Sequence, residues 1–302
     1  MASRFLALVL VLFAATSLAD DPQLEYRTVA IFNQHLYLGT FARPRALAYD
    51  RKHSELWLAD TGNGAVSVFR PDGAELYSFT SRQYLHDPVR VAIAPNGGIA
   101  VVEGDRSRIR LFNYRGVYKG DVTLSGIDGT PLIGALTYDA EGRLYIADNH
   151  SGQIFIYDPD GRKRQQFGSR GTDEGQLQSV CAIAIGSDGA IYVADQQAIA
   201  VQVFDSQGNF VRGWGRHEMG AANFSLPSGI ALDSQGRVLV TDELRHQVKI
   251  FTPAGVLLHQ FGGLGEGAGQ LSFPSDVAVD DKDRVYVVER GNARVQVFEP
   301  VR

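Results

Sequence analysis

Residues 227–251 read Pro-Ser-Gly-Ile-Ala-Leu-Asp-Ser-Gln-Gly-Arg-Val-Leu-Val-Thr-Asp-Glu-Leu-Arg-His-Gln-Val-Lys-Ile-Phe. This stretch contains three short apolar runs, separated by segments rich in glycine and polar residues. Such runs are typical of short β-strands joined by tight turns. A fourth run, residues 256–261, follows the turn Pro253-Ala254-Gly255. The stretch therefore predicts a unit of four antiparallel strands.

The second run of this unit, an apolar segment that ends in an acid, recurs along the chain. It is found six times, and its closing acids are Asp60, Glu103, Asp148, Asp195, Asp242 and Glu289. The steps between these acids are 43, 45, 47, 47 and 47 residues, a period typical of solenoids and propellers. Helical periodicity is absent, and the period is long for one coil of a β-helix. The spacing therefore favours an all-β, six-bladed propeller with four-stranded antiparallel blades.

The two ends of the chain predict how the ring closes. The sixth repeat stops after Phe298 with only three strands, and residues 25–32 form an isolated strand ahead of the first repeat. An aromatic residue stands 13 residues ahead of the fourth, fifth and sixth repeats, and Ile31 holds the same place before Pro44; the aromatics are Phe167, Trp214 and Phe261. We therefore expect the N-terminal strand to complete the last blade, because this pairing removes two open sheet edges.

These motifs resemble the NHL-repeat family of six-bladed β-propellers. The resemblance lies in the three runs of residues 227–251 and in the linker Phe-Gly-Gly-Leu-Gly-Glu-Gly-Ala-Gly-Gln-Leu at 261–271. It extends over residues 25–298 and is strongest in the fourth to sixth repeats. It implies the fold but no particular activity, because this family is functionally mixed and fold and function are separable.

The first residues have the features of a signal peptide. Arg4 precedes an apolar run over residues 5–15, and small residues follow at Ser17 and Ala19. Eleven apolar residues are too few for a membrane span, which needs about 20. We expect a signal peptide over residues 1–19 and a single propeller domain over residues 20–302. The mature protein would be exported, periplasmic or secreted, with no membrane insertion after cleavage.

Charge and cysteine content restrict the partners. The formal net charge is −5, with both signs interspersed, which argues against nucleic acid because phosphate binding needs a basic face. The single cysteine, Cys181, cannot form an internal disulfide and is expected to be a small buried residue. We expect a monomer stabilised by its apolar core.

The six acids that close the second strands have a structural and a functional interpretation. An acid there can accept hydrogen bonds from backbone N–H groups of the following loop. The alternative is an acidic ring that holds a cation. Because all six repeats share the feature, the sequence favours capping.

Candidate ligand-binding residues are those in which one repeat differs from the others. The loops between the second and third strands have constant length but different side chains, as expected of a binding rim on a rigid scaffold. At the starts of the first strands, nearest the axis, the column reads Ala46, Arg90, Ala135, Ala182, Gly229 and Asp276. The charged residues of this column could clamp an anionic or carbonyl ligand, or they could bond to neighbouring loops. The candidates at the channel mouth are Arg45, Arg90, Asp276, Asp105, Arg106, His150, Gln196, Glu243, Arg245 and Arg290.

No constellation of catalytic residues is apparent. Peptide α-amidating lyases, a branch of six-bladed propellers, hold a channel zinc with histidines near the starts of inner strands. The matching positions in this chain are Arg45, Val89, Gly134, Cys181, Ser228 and Ser275, none of them histidine. We therefore predict no catalytic residue, metal or cofactor. The expected function is a non-enzymatic binding module for a protein, peptide or small ligand, and the alternative is a metal-assisted lyase or hydrolase.

Overall fold

A computed structural model describes residues 24–81 and 83–301. The predicted signal peptide, residues 1–19, lies outside the described residues. Across the described part of the chain, no helix is long and apolar enough to cross a membrane.

The described residues form β-strands and one short 3-10 turn, Thr61–Asn63. The chain begins with β1 (Glu25–Phe32), β2 (Gln34–His35) and β3 (Gly39–Thr40). Blade 1 consists of β4 (Pro44–Asp50), β5 (Glu55–Asp60), β6 (Ala65–Phe69) and β7 (Glu75–Thr80). Blade 2 consists of β8 (Pro88–Ile93), β9 (Ile99–Glu103), β10 (Ile109–Phe112) and β11 (Tyr118–Asp121). Blade 3 consists of β12 (Ile133–Tyr138), β13 (Leu144–Asp148), β14 (Gln153–Tyr157) and β15 (Lys163–Phe167).

The second half repeats this plan. After the short pair β16 (Ser169–Arg170) and β17 (Gln176–Leu177), blade 4 consists of β18 (Val180–Ile185), β19 (Ile191–Asp195), β20 (Val201–Phe204) and β21 (Phe210–Trp214). Blade 5 consists of β22 (Pro227–Leu232), β23 (Val238–Asp242), β24 (Gln247–Phe251) and β25 (Leu257–Gly262). Blade 6 consists of β26 (Pro274–Val279), β27 (Val285–Glu289), β28 (Arg294–Val301) and, as its fourth strand, β1.

The ring closes through the N-terminal strand, as predicted. β1 pairs antiparallel with β28 from Glu25 opposite Val301 to Phe32 opposite Val295. The first strands of the blades contact one another in sequence around the axis, and β26 contacts β4 to complete the circle. Six four-stranded antiparallel blades therefore form a closed propeller.

The residue that marks the register of β1 is Phe32 rather than Ile31. Phe32 lies opposite Val295 just as Phe261 lies opposite Val248 in blade 5, and its ring packs on Phe69 with centroids 5.0 Å apart. The linker into blade 1 contains the extra β2–β3 hairpin. Counting a fixed number of residues back from Pro44 is therefore wrong by one position.

The core lies between neighbouring blades. Valines, isoleucines and aromatics of one sheet pack against those of the next, as when Val203 of blade 4 packs with Val240 and Phe251 of blade 5. Burying both faces of each sheet in this way explains why the first two strands of every blade are apolar on both faces.

The third strands of blades 4 and 6 each carry a buried polar residue. Gln202 and Gln296 are fully buried. Gln202 donates from Nε2 to the carbonyl of Gln176 at 2.7 Å, and Gln296 donates to that of Gln270 at 2.6 Å. These side chains hold the linkers that lead into their own blades, so they satisfy buried backbone groups that would otherwise lack partners.

Candidate functional site

The six acids that close the second strands are buried caps, as predicted. Each accepts backbone N–H groups of the linker that enters its own blade: Asp195 accepts those of Gln178 and Ser179 at 2.7 and 3.0 Å, for example. Asp195 also accepts the N–H groups of Gln197 and Ala198 in the loop that follows. The acids therefore hold linker and loop together, although Oε1 of Glu103 is buried without a hydrogen-bond partner in the described chain.

The start of each first strand carries a β-bulge in all six blades. The extra residue in blade 1 is Arg45, between Pro44 and Ala46. The residues after the bulge are the column of small side chains identified in the sequence, with Arg90 and Asp276 as its charged members. The bulges bring these residues to the channel axis, where crowding favours small side chains.

Arg90 of blade 2 spans part of the channel. Its Nε donates to the carbonyl of Gly134 at 3.2 Å, and one terminal nitrogen donates to that of Cys181 at 3.1 Å. The other terminal nitrogen donates to the carbonyl of Val89 at 2.9 Å. Arg90 therefore connects blades 2, 3 and 4 through their inner strand edges.

Asp276 of blade 6 lies across the axis from these contacts. Its carboxylate accepts the N–H of Leu47 in blade 1 at 3.0 Å and the N–H of Val277 at 2.9 Å. On its other side is blade 5, where a Cβ on Gly229 would lie 2.5 Å from the carboxylate. Burial raises the pKa of Asp276 to about 6, and nearby Arg90 opposes this rise.

Arg45 and Arg106 lie beside Arg90 at the channel mouth, the end formed by the strand-one starts and the loops between second and third strands. Both are partly buried. Burial lowers the pKa of Arg45, and the positive charges of Arg90 and Arg290 lower it further. The pKa of Arg106 is lowered by burial and by the positive charges of Arg90 and Arg45. Within the described chain, neither guanidinium makes a hydrogen bond, and neither has an acid oxygen within 4.0 Å.

The other predicted residues of the mouth already have partners or stand apart. Glu243 and Arg290 form an ion pair. Arg245 donates to the carbonyls of Gly220 and Glu218 in the preceding linker. Gln196 donates to the carbonyl of Pro227 at 3.0 Å. Asp105 caps its own loop by accepting the N–H of Ser107, and His150 is exposed on the loop of blade 3.

Beyond Arg90 and Asp276 the channel widens into a cavity of about 1180 Å³. Its walls are the first strands, and its far rim is formed by the turns between first and second strands, on the face opposite the mouth. The sequence identified candidate residues only at the mouth, because the small residues at the starts of the first strands do not show how large the cavity beyond them is. Arg90, Asp276 and Cys181 lie between the mouth and this cavity.

Cys181 is a buried structural residue, as predicted. Its S–H is within hydrogen-bond distance of the carbonyls of Ala194 and Pro227, at 3.4 and 3.3 Å. Burial raises the pKa of this thiol to about 12, so the thiolate needed for nucleophilic attack is scarce at neutral pH.

Two clusters of polar side chains were not identified in the sequence. His35 is buried, with Nε2 2.8 Å from Asp60 and Nδ1 3.2 Å from Glu75, and it anchors the β2–β3 hairpin. Asp50, His53 and Glu55 bring one ligand atom each within 4.8 Å of one another on the opposite face.

The cluster of Asp50, His53 and Glu55 could have been recognised by comparing the sequences of the repeats. In blades 3, 5 and 6 the equivalent acid pairs with an arginine four residues later, as Asp233 does with Arg237 at 2.5 Å. Blade 1 carries Glu55 as the first residue of its second strand, whereas blades 3, 5 and 6 carry arginine at the end of this turn. Comparing the turns column by column would have revealed this charge reversal.

Comparisons with known proteins agree with this architecture. The family model for the NHL repeat matches residues 224–251 and 271–298. None of the curated proteins matches this sequence.

Solved structures with the same fold include a protein of unknown function and a lyase. A Bacteroides thetaiotaomicron protein of unknown function is 13% identical, with a TM-score of 0.69, over 92% of this chain and 76% of that one. Virginiamycin B lyase from Staphylococcus aureus is 14% identical, with a TM-score of 0.61, over 92% and 100%. A catalytically inactive variant of that lyase with quinupristin is 15% identical, with a TM-score of 0.60, over 92% and 88%. The fifth and sixth blades thus contain matches to the NHL repeat, and the described residues form a six-bladed β-propeller.

Proposed function

We propose that this protein is an exported, non-enzymatic binding module that takes its ligand at the channel mouth defined above. The supporting observation is that some polar side chains at the mouth have partners within the protein and others do not. The carboxylates of Asp195 and Asp276 are engaged by backbone N–H groups, whereas the side chains of Arg45 and Arg106 have no partner in the described chain. A rigid scaffold that presents unpaired polar groups at a concave opening is suited to binding.

The occupied groups are the ones a reaction would need. Cys181 is buried with its pKa raised to about 12. Asp195 and Asp276 are both held by backbone N–H groups. A general base or nucleophile must be within reach of a substrate and free to exchange a proton, and the buried Cys181 and Asp195 meet neither condition at the mouth.

The alternative is a metal-assisted lyase, and the similarity in fold to virginiamycin B lyase is the observation that favours it. At 14% identity this similarity establishes the fold alone. Metal analysis of the purified protein separates the two hypotheses. Stoichiometric zinc, calcium or magnesium that resists dialysis and supports bond cleavage would establish the lyase.

A steric test addresses binding at the mouth directly. His150→Cys places a reactive thiol on the exposed loop of blade 3, where a maleimide-linked polyethylene glycol can cover the opening. Cys181 is buried and should not react. We expect the labelled protein, immobilised and exposed to native envelope extract, to lose a compound or protein that the unlabelled variant retains, as identified by mass spectrometry.

The matched control is Arg115→Cys with the same label. Arg115 is exposed on the turn between the third and fourth strands of blade 2, on the opposite face. It should retain the ligand. Equal capture by the two labelled proteins would refute binding at the mouth.

A further inference from the structure

We infer that the chemical group held at the mouth is an oxyanion, a carboxylate or a phosphate, bound by Arg45 and Arg106 above Arg90. This inference rests on the proposed function and specifies the ligand class of the same site. It follows from the charge, the geometry and the burial of these three side chains.

The charge at the mouth is unbalanced. Glu243 is paired with Arg290, and Asp276 is held by the N–H groups of Leu47 and Val277. Arg45 and Arg106 have no acid within 4.0 Å among the described residues. Like charges brought together repel one another unless a counter-charge is supplied. A bound anion would supply that counter-charge.

The geometry suits oxygen ligands. A guanidinium has five N–H donors in a planar fork, which matches the oxygens of a carboxylate or phosphate. Arg90 uses three donors on the carbonyls of Gly134, Cys181 and Val89, so it is held in place with two donors remaining. Arg45 and Arg106 keep all of theirs. A fixed arginine and two unengaged ones therefore leave N–H donors of three side chains available at the mouth.

The burial favours a small, charged ligand over a neutral one. Arg45 and Arg106 are partly buried, and charge-assisted hydrogen bonds are stronger where water is partly excluded. Burial and the neighbouring arginines lower the pKa of both side chains, and a bound anion would reverse this effect. Three arginines against Asp276 leave about two positive charges, so the site should prefer a dianion to a monoanion.

The test uses defined probes: sodium phosphate, sodium succinate and, as the monoanion, sodium acetate, all matched in ionic strength with sodium chloride. Thermal unfolding of the mature protein, residues 20–302, should shift upward by about 3–6 °C at saturating dianion. Titration calorimetry should give a saturable isotherm. A response to succinate alone identifies a carboxylate site, a response to phosphate alone a phosphate site, and either supports the inference.

Arg106→Gln and Arg45→Gln are the informative variants. Each should weaken dianion binding at least about tenfold, the loss expected for one charge-assisted contact. Without added anion at low ionic strength, each should unfold at the same or a higher temperature than the wild type, because a repulsion has been removed. Arg115→Gln removes an exposed arginine far from the mouth and should bind like the wild type.

Three results would overturn the inference. The first is no saturable shift of the unfolding temperature with either dianion, and the second is a shift no larger than that produced by sodium chloride at the same ionic strength. The third is unchanged dianion binding by Arg106→Gln. These outcomes are separable from failure of the proposed function. If labelled His150→Cys loses its ligand from extract while Arg106→Gln retains it, the binding module stands and the oxyanion does not.

Discussion

Arg90 and Asp276 together contact all six blades. Arg90 extends from blade 2 to carbonyls of blades 3 and 4. Asp276 extends from blade 6 to the N–H of Leu47 in blade 1 and lies against Gly229 in blade 5. Both residues therefore bond to backbone groups of neighbouring blades, and two N–H donors of Arg90 remain unused within the described chain. Inner strand edges present N–H and C=O groups without a ladder partner, and the two charges satisfy some of them.

Asp276 should make stability depend on pH. Its folded-state pKa is raised from 3.8 to about 6, so the folded state binds more protons than the unfolded state between these values. Stability is therefore fully present below about pH 4 and falls as pH rises to about 6, by roughly 3 kcal/mol. Asp276→Asn should remove this fall, as measured by urea unfolding from pH 4 to 7.

The control for this experiment is Asp128→Asn, which removes the same charge from an exposed loop. It should keep the wild-type pH profile. An Asp276→Asn variant whose pH profile between 4 and 6 matches the wild type would show that Asp276 titrates normally.

At the scale of the element, the third strands of blades 4, 5 and 6 each carry one buried residue that holds the preceding linker. In blade 5 this residue is Lys249, which is fully buried. Its ammonium lies 3.3 Å from the carboxylate of Asp242 and 4.6 Å from the centre of the Phe224 ring. It also donates a hydrogen bond to the carbonyl of Asn223. Gln202 and Gln296 perform the same task in blades 4 and 6 without a charge.

The repeats therefore predict which substitution blade 5 tolerates. Lys249→Gln should lower the free energy of unfolding by less than about 1.5 kcal/mol, because glutamine can donate to the same carbonyl. Lys249→Met should lower it by about 3 kcal/mol, because it leaves the carbonyl and Asp242 without this donor. Urea unfolding of the two variants measures the difference, and equal losses would contradict this role.

At the scale of the whole molecule, stability depends on pairing of the two chain ends. β1 covers the edge of β28, and the ring of Phe32 packs on Phe69 of blade 1. The strand therefore completes blade 6 and also contributes to its interface with blade 1. An uncovered edge next to an apolar interface promotes aggregation.

Removal of β1 should consequently destabilise all six blades. A chain that begins at Asn33 should unfold at least about 10 °C below one that begins at Leu24, or should aggregate, as measured by calorimetry and light scattering. Addition of a synthetic peptide of residues 24–32 should restore part of the loss. A shortened chain as stable and monomeric as its control would contradict the closure.

The repeat made most of this predictable. Six copies of one pattern gave the number of blades, the strand order, the closure by residues 25–32 and the capping role of acids such as Asp195. These features depend on local pattern and on the need to bury both faces of every sheet, so the amino-acid sequence by itself determined them.

The direction and contacts of individual side chains were decided by tertiary structure alone. The sequence identified Arg90 and Asp276 as exceptions but could not tell a ligand clamp from a contact between blades. It also could not distinguish Arg245, which is bonded to a linker, from Arg106, which has no partner in the described chain. Those differences arise because residues far apart in sequence meet at the axis, where backbone carbonyls of other blades are available to one arginine and out of reach of another.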